Sequence, residues 1–222
     1  MRERILFFLT GPTGVGKSTV AEIIASTCTQ QGLRCNFIND YPILEDWAKR
    51  NRSNSDKVIW KMPAAGGVEF FSIQEKSYQE ASVFIASAVA QHVCNSLKMY
   101  DVNIMEAARG AGEPRDRYGE HLFKPFVEKL SGLVRFANIQ MTVENLDDLR
   151  TRVVERYARD PTSAPPFVLE KYLPILSSVS DAAEFGDQFK FNGTVNNSDV
   201  PNQVKGRLAS IVTQILAGGV PV

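Results

Sequence analysis

Residues Gly11-Pro12-Thr13-Gly14-Val15-Gly16-Lys17-Ser18 match the pattern G-x-x-x-x-G-K-[ST] in full. Glycines at this spacing let the backbone curl so that successive N–H groups point inward at phosphate oxygens, and a helix that starts at the end of the loop adds its positive N-terminus. Lys17 is placed to bridge β- and γ-phosphates, Ser18 to offer a hydroxyl to Mg2+, and Thr19 to add an oxygen contact to an inner phosphate. The flanks agree with the motif. Ile5 to Leu9 reads as an apolar strand ending just before the loop, and Val20, Ile23, Ile24 and Thr27 recur with helical period just after it. Gly11, Thr13, Gly14, Val15, Gly16, Lys17, Ser18 and Thr19 are therefore the candidate nucleotide-binding residues, with ATP as the nucleotide and Mg2+ as its ion.

Working outward, short apolar runs alternate with longer helical patterns, the order of an α/β fold on a parallel sheet. Strands are expected near 5–9, 34–38, 101–106, 135–143 and 188–192. Helices are expected near 17–31, 41–50, 74–99, 117–131, 145–159, 166–178 and 199–217. Asn145 ahead of Asp147 and Asp148, and Ser198-Asp199-Val200-Pro201, mark two helix starts. Two stretches fit a minimal core poorly: 51–73, polar and then glycine-rich through Gly66-Gly67, and the proline-rich 156–166. Both read as irregular insertions, functional flaps or loops without fixed structure.

Ligands of open α/β sheets gather at the carboxyl ends of the strands, so the residues ending each strand are the next candidates. The second strand ends at Asn39-Asp40-Tyr41, where Asp40 can orient or deprotonate an attacking hydroxyl, or cap the following helix. The third runs through Val102-Asn103-Ile104-Met105 to Glu106, a Walker-B-like carboxylate suited to Mg2+, with Arg109 beyond two alanines as a phosphate partner. A loop of solvated charges would read the same way. Arg152 and Arg156 lie four apart on one helical face, and Arg159 extends the line; they read either as a phosphate-closing surface or as a charged helix face. Trp47 or Tyr41, beside the 51–73 insertion, could stack on a planar acceptor. His92 and His121 are isolated and read as packed or surface residues, and Phe70, Phe71, Phe123 and Phe126 as core.

With its loop at Gly11 to Ser18, Asp116-Arg117-Tyr118, and R-V-V-E-R at Arg152 to Arg156, the chain resembles the P-loop kinases of the nucleotide and nucleoside kinase type. The resemblance implies a P-loop NTPase fold, a parallel five-stranded sheet flanked by helices, as a single kinase domain over 1–222. It further implies an acceptor-binding insertion at 51–73 and an arginine-bearing lid at 150–166. In these kinases an acidic residue at the position of Asp40 faces the acceptor, lid arginines close over the phosphates, and the leading one, here Arg152, stacks on adenine. The loop after the last strand, here 192–197, holds the purine. A guanine-reading N-K-x-D segment is missing, as is the glycine-glutamine signature of ABC-type ATPases, of which Leu130-Ser131-Gly132 is a fragment. The expected activity is transfer of the ATP γ-phosphoryl to a small acceptor, a nucleoside, nucleotide or similar metabolite. Kinases of antibiotics, sugars or cofactor precursors, and an ATP-binding regulatory module with slow hydrolysis, are the alternatives.

Composition agrees with a soluble, cytoplasmic enzyme. The chain has 222 residues, 44% of them hydrophobic, enough for a sizeable core. Twenty-five basic residues balance 25 acidic ones, so no electrostatic pull toward nucleic acid or membrane is expected; a homodimer is left open. Cys28, Cys35 and Cys94 have neither paired-ligand spacing nor an even count, which disfavours a disulfide framework or a zinc site. Ile5 to Leu9 is too short for a signal peptide core, and Ala81 to Ala90 too short to span a membrane.

Overall fold

The computed structural model describes residues 4–10, 14–61, 69–96, 98–106, 128–142, 145–159, 193–196 and 201–218. Its centre is β1 (Ile5–Thr10), hydrogen-bonded on one side to β5 (Val102–Glu106) and on the other to β6 (Arg135–Thr142), all parallel. Beyond β5 lies β2 (Cys35–Asn39), and beyond β6 lies β7 (Gly193–Asn196), which gives one sheet in the order β2-β5-β1-β6-β7. The chain thus leaves β1 toward one edge and later returns to build the other, so the crevice at the carboxyl end of β1 is the switch point where this class of sheet binds ligands.

The uninterrupted apolar run of β1 follows from burial on both faces, the usual condition of a central parallel strand. Leu6 and Phe8 point into one core with Ile38 and Met105, under α2 (Tyr41–Arg50) and α3 (Tyr78–Ser96). Ile5, Phe7 and Leu9 point into the other with Val102, Ile104, Ala137 and Ile139. That face is covered by α1 (Lys17–Gln30) and α5 (Pro201–Leu216), and Leu149 of α4 (Leu146–Arg159) joins it. Asn145 starts α4 as expected, its Oδ1 accepting the Asp147 N–H at 2.9 Å.

Opposite the switch point, Asp101 ties three strand starts together. It accepts from the Arg34 N–H at 3.0 Å and from the guanidinium groups of Arg34 and Arg4, while its own backbone carbonyl accepts the Ile5 N–H at 3.2 Å. The Arg34 backbone N–H first, then the two guanidinium groups, hold the Asp101 carboxyl below the usual carboxylate range against an opposing burial effect.

Several expectations change. The 51–73 insertion is not irregular throughout: β3 (Val58–Lys61) and β4 (Phe70–Ile73) pair antiparallel, Trp60 opposite Phe71, because each is a short β-branched and aromatic run with a buried face. Residues 193–196, expected as a loop over a purine, instead belong to the last strand and form a ladder with Ile139 to Thr142. Residues 188–192, the helix expected at 166–178 and 160–166 of the expected lid lie outside the described residues, as do 117–127 of the helix expected at 117–131, of which 128–130 are helical. Among the described residues, no helix is long and apolar enough to cross a membrane.

Candidate functional site

The sheet register assembles the site. Leu9 of β1 pairs with Glu106 of β5, and Glu106 pairs with Asn39 of β2, so three strand ends lie in one row with Asp40 one residue beyond it. Directly above β1 the chain turns through Gly14 (φ 83°) and Gly16 (φ 98°), left-handed conformations that favour glycine, and enters α1 at Lys17. A Cβ on Gly14 would come within 2.6 Å of Val153 Cγ2, so α4 packs against this turn and leaves no room for a side chain. Val15 and Lys17 are buried, whereas Ser18 and Thr19 at the start of α1 are exposed. Gly11 and Thr13, expected in the same loop, lie outside the described residues.

The Ser18 hydroxyl donates to Glu106 Oε2 at 3.0 Å, across 88 residues of sequence. A hydroxyl and one carboxylate oxygen, both hard ligands at the mouth of a phosphate-type loop, are the donor set that suits Mg2+, which keeps most of its own water. Next to this pair, Ser18, Phe37, Ile38, Asn39, Asp40, Tyr41, Leu44, Ile104 and Glu106 line a cavity of about 270 Å³. Asp40 is buried and stands at the N-cap position of α2, yet its side chain makes no cap hydrogen bond. The local turn is made instead by Asn39, whose Oδ1 accepts the Tyr41 N–H at 3.0 Å. The capping alternative for Asp40 is therefore not what the structure holds.

Of the arginines, Arg152 is half-buried on α4, and Arg156 belongs to the same helix. Arg159 is spoken for, its Nη2 donating to Glu155 Oε2 at 3.3 Å on an exposed surface. Arg109, Asp116-Arg117-Tyr118 and His121 lie outside the described residues. Trp47 corrects an expectation: it is 2% exposed and belongs to the core under α2, so it cannot stack on a ligand, whereas Tyr41 lines the cavity. His92 sits 3.3 Å from Asn36 Nδ2, away from the cavity lining. Cys28 is buried beside Cys35, and its hydrogen bond with that thiol, together with burial, pushes it above the ordinary thiol range, the opposite of a nucleophile's need.

Sequence reasoning did not single out Phe37, Leu44 or Ile104, which line the cavity, nor the side chains that brace it. Tyr41 stacks on Phe71 (centroids 6.0 Å apart), and Phe71 packs on Trp60 at 5.2 Å. The Arg52 guanidinium covers Trp60 at 4.9 Å and is itself held by Glu69, both of whose oxygens accept from Arg52 Nη2. The signal for this brace was present as aromatic residues in two short runs on either side of Gly66-Gly67, but not their pairing.

A scan against protein-family models finds no match, and neither does a search of curated sequences. Solved structures do match in fold. A kinase-designated protein from Chloroflexus aurantiacus is similar at a TM-score of 0.60 and 13% identity, over 96% of this chain and 98% of that one. A gluconokinase from Sinorhizobium meliloti is similar at 0.53 and 14% identity, over 98% and 97%. The Mycobacterium tuberculosis APS kinase, solved with AMPPNP and APS, is similar at 0.51 and 13% identity, over 96% and 99%. The fold is that of the P-loop kinases, a parallel α/β sheet flanked by helices.

Proposed function

We propose that the chain is an ATP-dependent phosphotransferase that moves the γ-phosphoryl of ATP to a hydroxyl of a small acceptor, a nucleoside or related metabolite, as one kinase domain. The observation that carries this reading is the shared cavity: Ser18 at the end of the phosphate-type loop, Glu106 at the end of β5 and Asp40 at the end of β2 line the same space. A simple ATP-binding switch has no need of a buried carboxylate beyond the phosphate loop, whereas a transferase needs one to receive the acceptor proton.

In this reading the turn through Gly14 and Gly16, with Lys17, holds the nucleotide phosphates, and Arg152 and Arg156, carried by the helix that packs on this turn through Val153, would meet their charge. Ser18 and Glu106 would hold Mg2+, which when bound neutralises phosphate charge. Asp40 takes the proton of the acceptor hydroxyl as that oxygen attacks the γ-phosphorus and the bond to the β–γ bridging oxygen breaks, releasing ADP. Most of the rate then comes from positioning and charge, as is usual in phosphoryl transfer. The gluconokinase and APS kinase likenesses support a small-molecule acceptor without choosing one.

The test is ADP release with and without a panel of small hydroxyl acceptors. Acceptor-stimulated release is expected, and Lys17→Ala should lower it by about 10²–10³ while the protein stays folded, the usual loss for one preorganised charge-stabilising group. Unchanged turnover in this variant would remove the loop from the mechanism.

A further inference from the structure

Cys28, Cys35 and Cys94 are all free thiols, and their spacing in sequence gives no sign of pairing, yet the fold brings the first two together. The turn from α1 into β2 is the cause. The N–H groups of Gln31 and Leu33 both donate to the Cys28 carbonyl at 3.0 Å, and Gly32 between them takes a left-handed φ of 73°. The chain reverses beside the last turn of α1, and β2 begins against the helix it has just left. The Cys35 thiol donates to the Ala25 carbonyl at 3.9 Å. Ala25 and Cys28 are three apart on α1 and share a face, so this contact seats the Cys35 thiol beside that of Cys28, with a hydrogen bond between the two. Their surroundings make the sulfurs unequal. Cys28 is 0% exposed in the core under α1, and the hydrogen bond with Cys35, then burial, push its thiol up. Cys35 is half-buried on the edge strand, and the hydrogen bond from Cys28 holds its thiol below the ordinary range, against the opposing effects of burial and the Asp101 carboxylate.

We propose that Cys35 and Cys28 form a site of reversible oxidation by hydroperoxides, at which Cys35 is oxidised first and Cys28 then closes a disulfide with it. In the first step the Cys35 thiolate attacks one peroxide oxygen and becomes a sulfenic acid; the hydroxide that leaves takes up the thiol proton as water. In the second, the Cys28 sulfur attacks the sulfenic sulfur, and its proton departs with the displaced hydroxide as a second water. Two thiols have then lost two electrons and two protons, and the peroxide has been reduced to water. The order follows from access, since a peroxide can reach the half-buried Cys35 but not Cys28. The buried thiol is a poor first nucleophile and a well-placed second one. Closure is local, because two sulfurs in hydrogen-bonding contact have only to come to a bonding distance of about 2 Å. Cys94 is exposed on α3, which covers the other face of the sheet, and serves as an internal reference without a neighbouring thiol. Neither member of the pair lines the candidate cavity, so the site stands apart from the phosphotransferase reading.

The experiment treats the full-length, folded and fully reduced protein with a small excess of hydrogen peroxide, blocks the remaining thiols with N-ethylmaleimide in guanidinium, and maps the peptides without reduction. A Cys28 to Cys35 link is expected, with the chain lighter by about 2 Da before blocking, Cys94 largely alkylated, and full reversal by dithiothreitol. Cys28→Ser removes the second thiol, so dimedone should label Cys35 as sulfenic acid about tenfold more than in the unaltered protein. Melting curves check that this core variant folds, and Cys28→Ala replaces it where it does not. Cys35→Ser, at the half-buried position, should leave Cys28 reduced. Peroxide that oxidises Cys94 and spares Cys35 overturns the proposal, as does Cys35 carried to the sulfinic acid in the unaltered protein with Cys28 still reduced. Oxidation of Cys28 in Cys35→Ser as fast as in the unaltered protein would put the first attack at the buried thiol and overturn the order. A link that forms only when the protein is unfolded in urea would show that the native contact plays no part, and overturns the site itself.

Discussion

Asp40 is the residue whose role separates a helix cap from a catalytic base. Both readings were open in the sequence, since Asp caps helices well and also ends a strand at the ligand side of the sheet. In the structure its side chain makes no cap bond, Asn39 makes the turn, and the carboxylate is 6% exposed on the wall of the cavity that Ser18 and Glu106 share. Asp40→Asn keeps size and capping ability while removing the proton acceptor. ATP affinity and melting temperature should therefore be retained, and acceptor-dependent ADP release should fall by roughly 10²–10⁴, the range for general-base contributions. An Asp40→Asn enzyme with full turnover would take Asp40 out of the chemistry. Ser18 and Glu106, which the structure brings together, were legible because each belongs to a short pattern with its own physical reason, a loop before a helix or an acid after a strand. Phe37 was not, because its exposure depends on β2 lying at the sheet edge, which no local pattern reports.

At the scale of elements, the sequence shows strand and helix periods well and pairings poorly. The strands β1, β5 and β6 were readable from apolar runs, since parallel strands buried on two faces leave such runs, and the edge strand β2 was readable from its position after the first helix. Residues 193–196, in a Gly- and Asn-rich stretch, read as a loop, and their strand character comes from the ladder they make with Ile139 to Thr142. The hairpin of β3 and β4 escaped for a related reason: four-residue strands carry too little periodicity to stand out beside polar and glycine-rich neighbours. The contact of Val153 with the Gly14 turn is likewise a tertiary fact, and it bears on the arginine helix. If the turn through Gly14 and Gly16 holds phosphate as proposed, a helix packed on it should feel its occupation, so amide exchange across 150–159 is expected to slow by roughly three- to tenfold on adding AMPPNP and Mg2+. Equal exchange with and without nucleotide would assign Arg152 and Arg156 to a solvated face, the role Arg159 already has through Glu155.

Across the whole molecule, the two ends of the sheet have separate tasks. The carboxyl ends of β1, β2 and β5 gather the loop, Glu106 and Asp40, while at the amino ends Asp101 fastens the starts of the same three strands through Arg4, Arg34 and the Ile5 N–H. Such a division allows stability to be altered without touching the chemistry. The Asp101 carboxyl is held below its ordinary range, chiefly by the Arg34 backbone N–H and then by the two arginine side chains. For a carboxyl lowered in the folded state, the stabilisation is complete above the unfolded value of about 3.9 and is lost as pH falls through the lower folded value. Asp101→Asn should therefore lower the melting temperature by on the order of a few degrees near neutral pH. The gap to the unaltered protein should narrow steadily below about pH 4. Turnover at a temperature where both proteins are folded should be the same, because the substitution sits at the end of the sheet away from the cavity. A melting difference that stays constant down to about pH 2 would mean that the lost hydrogen-bond geometry, and not the charge, accounts for the effect. A turnover loss in the folded variant would show instead that the strand starts and the site are coupled through the sheet.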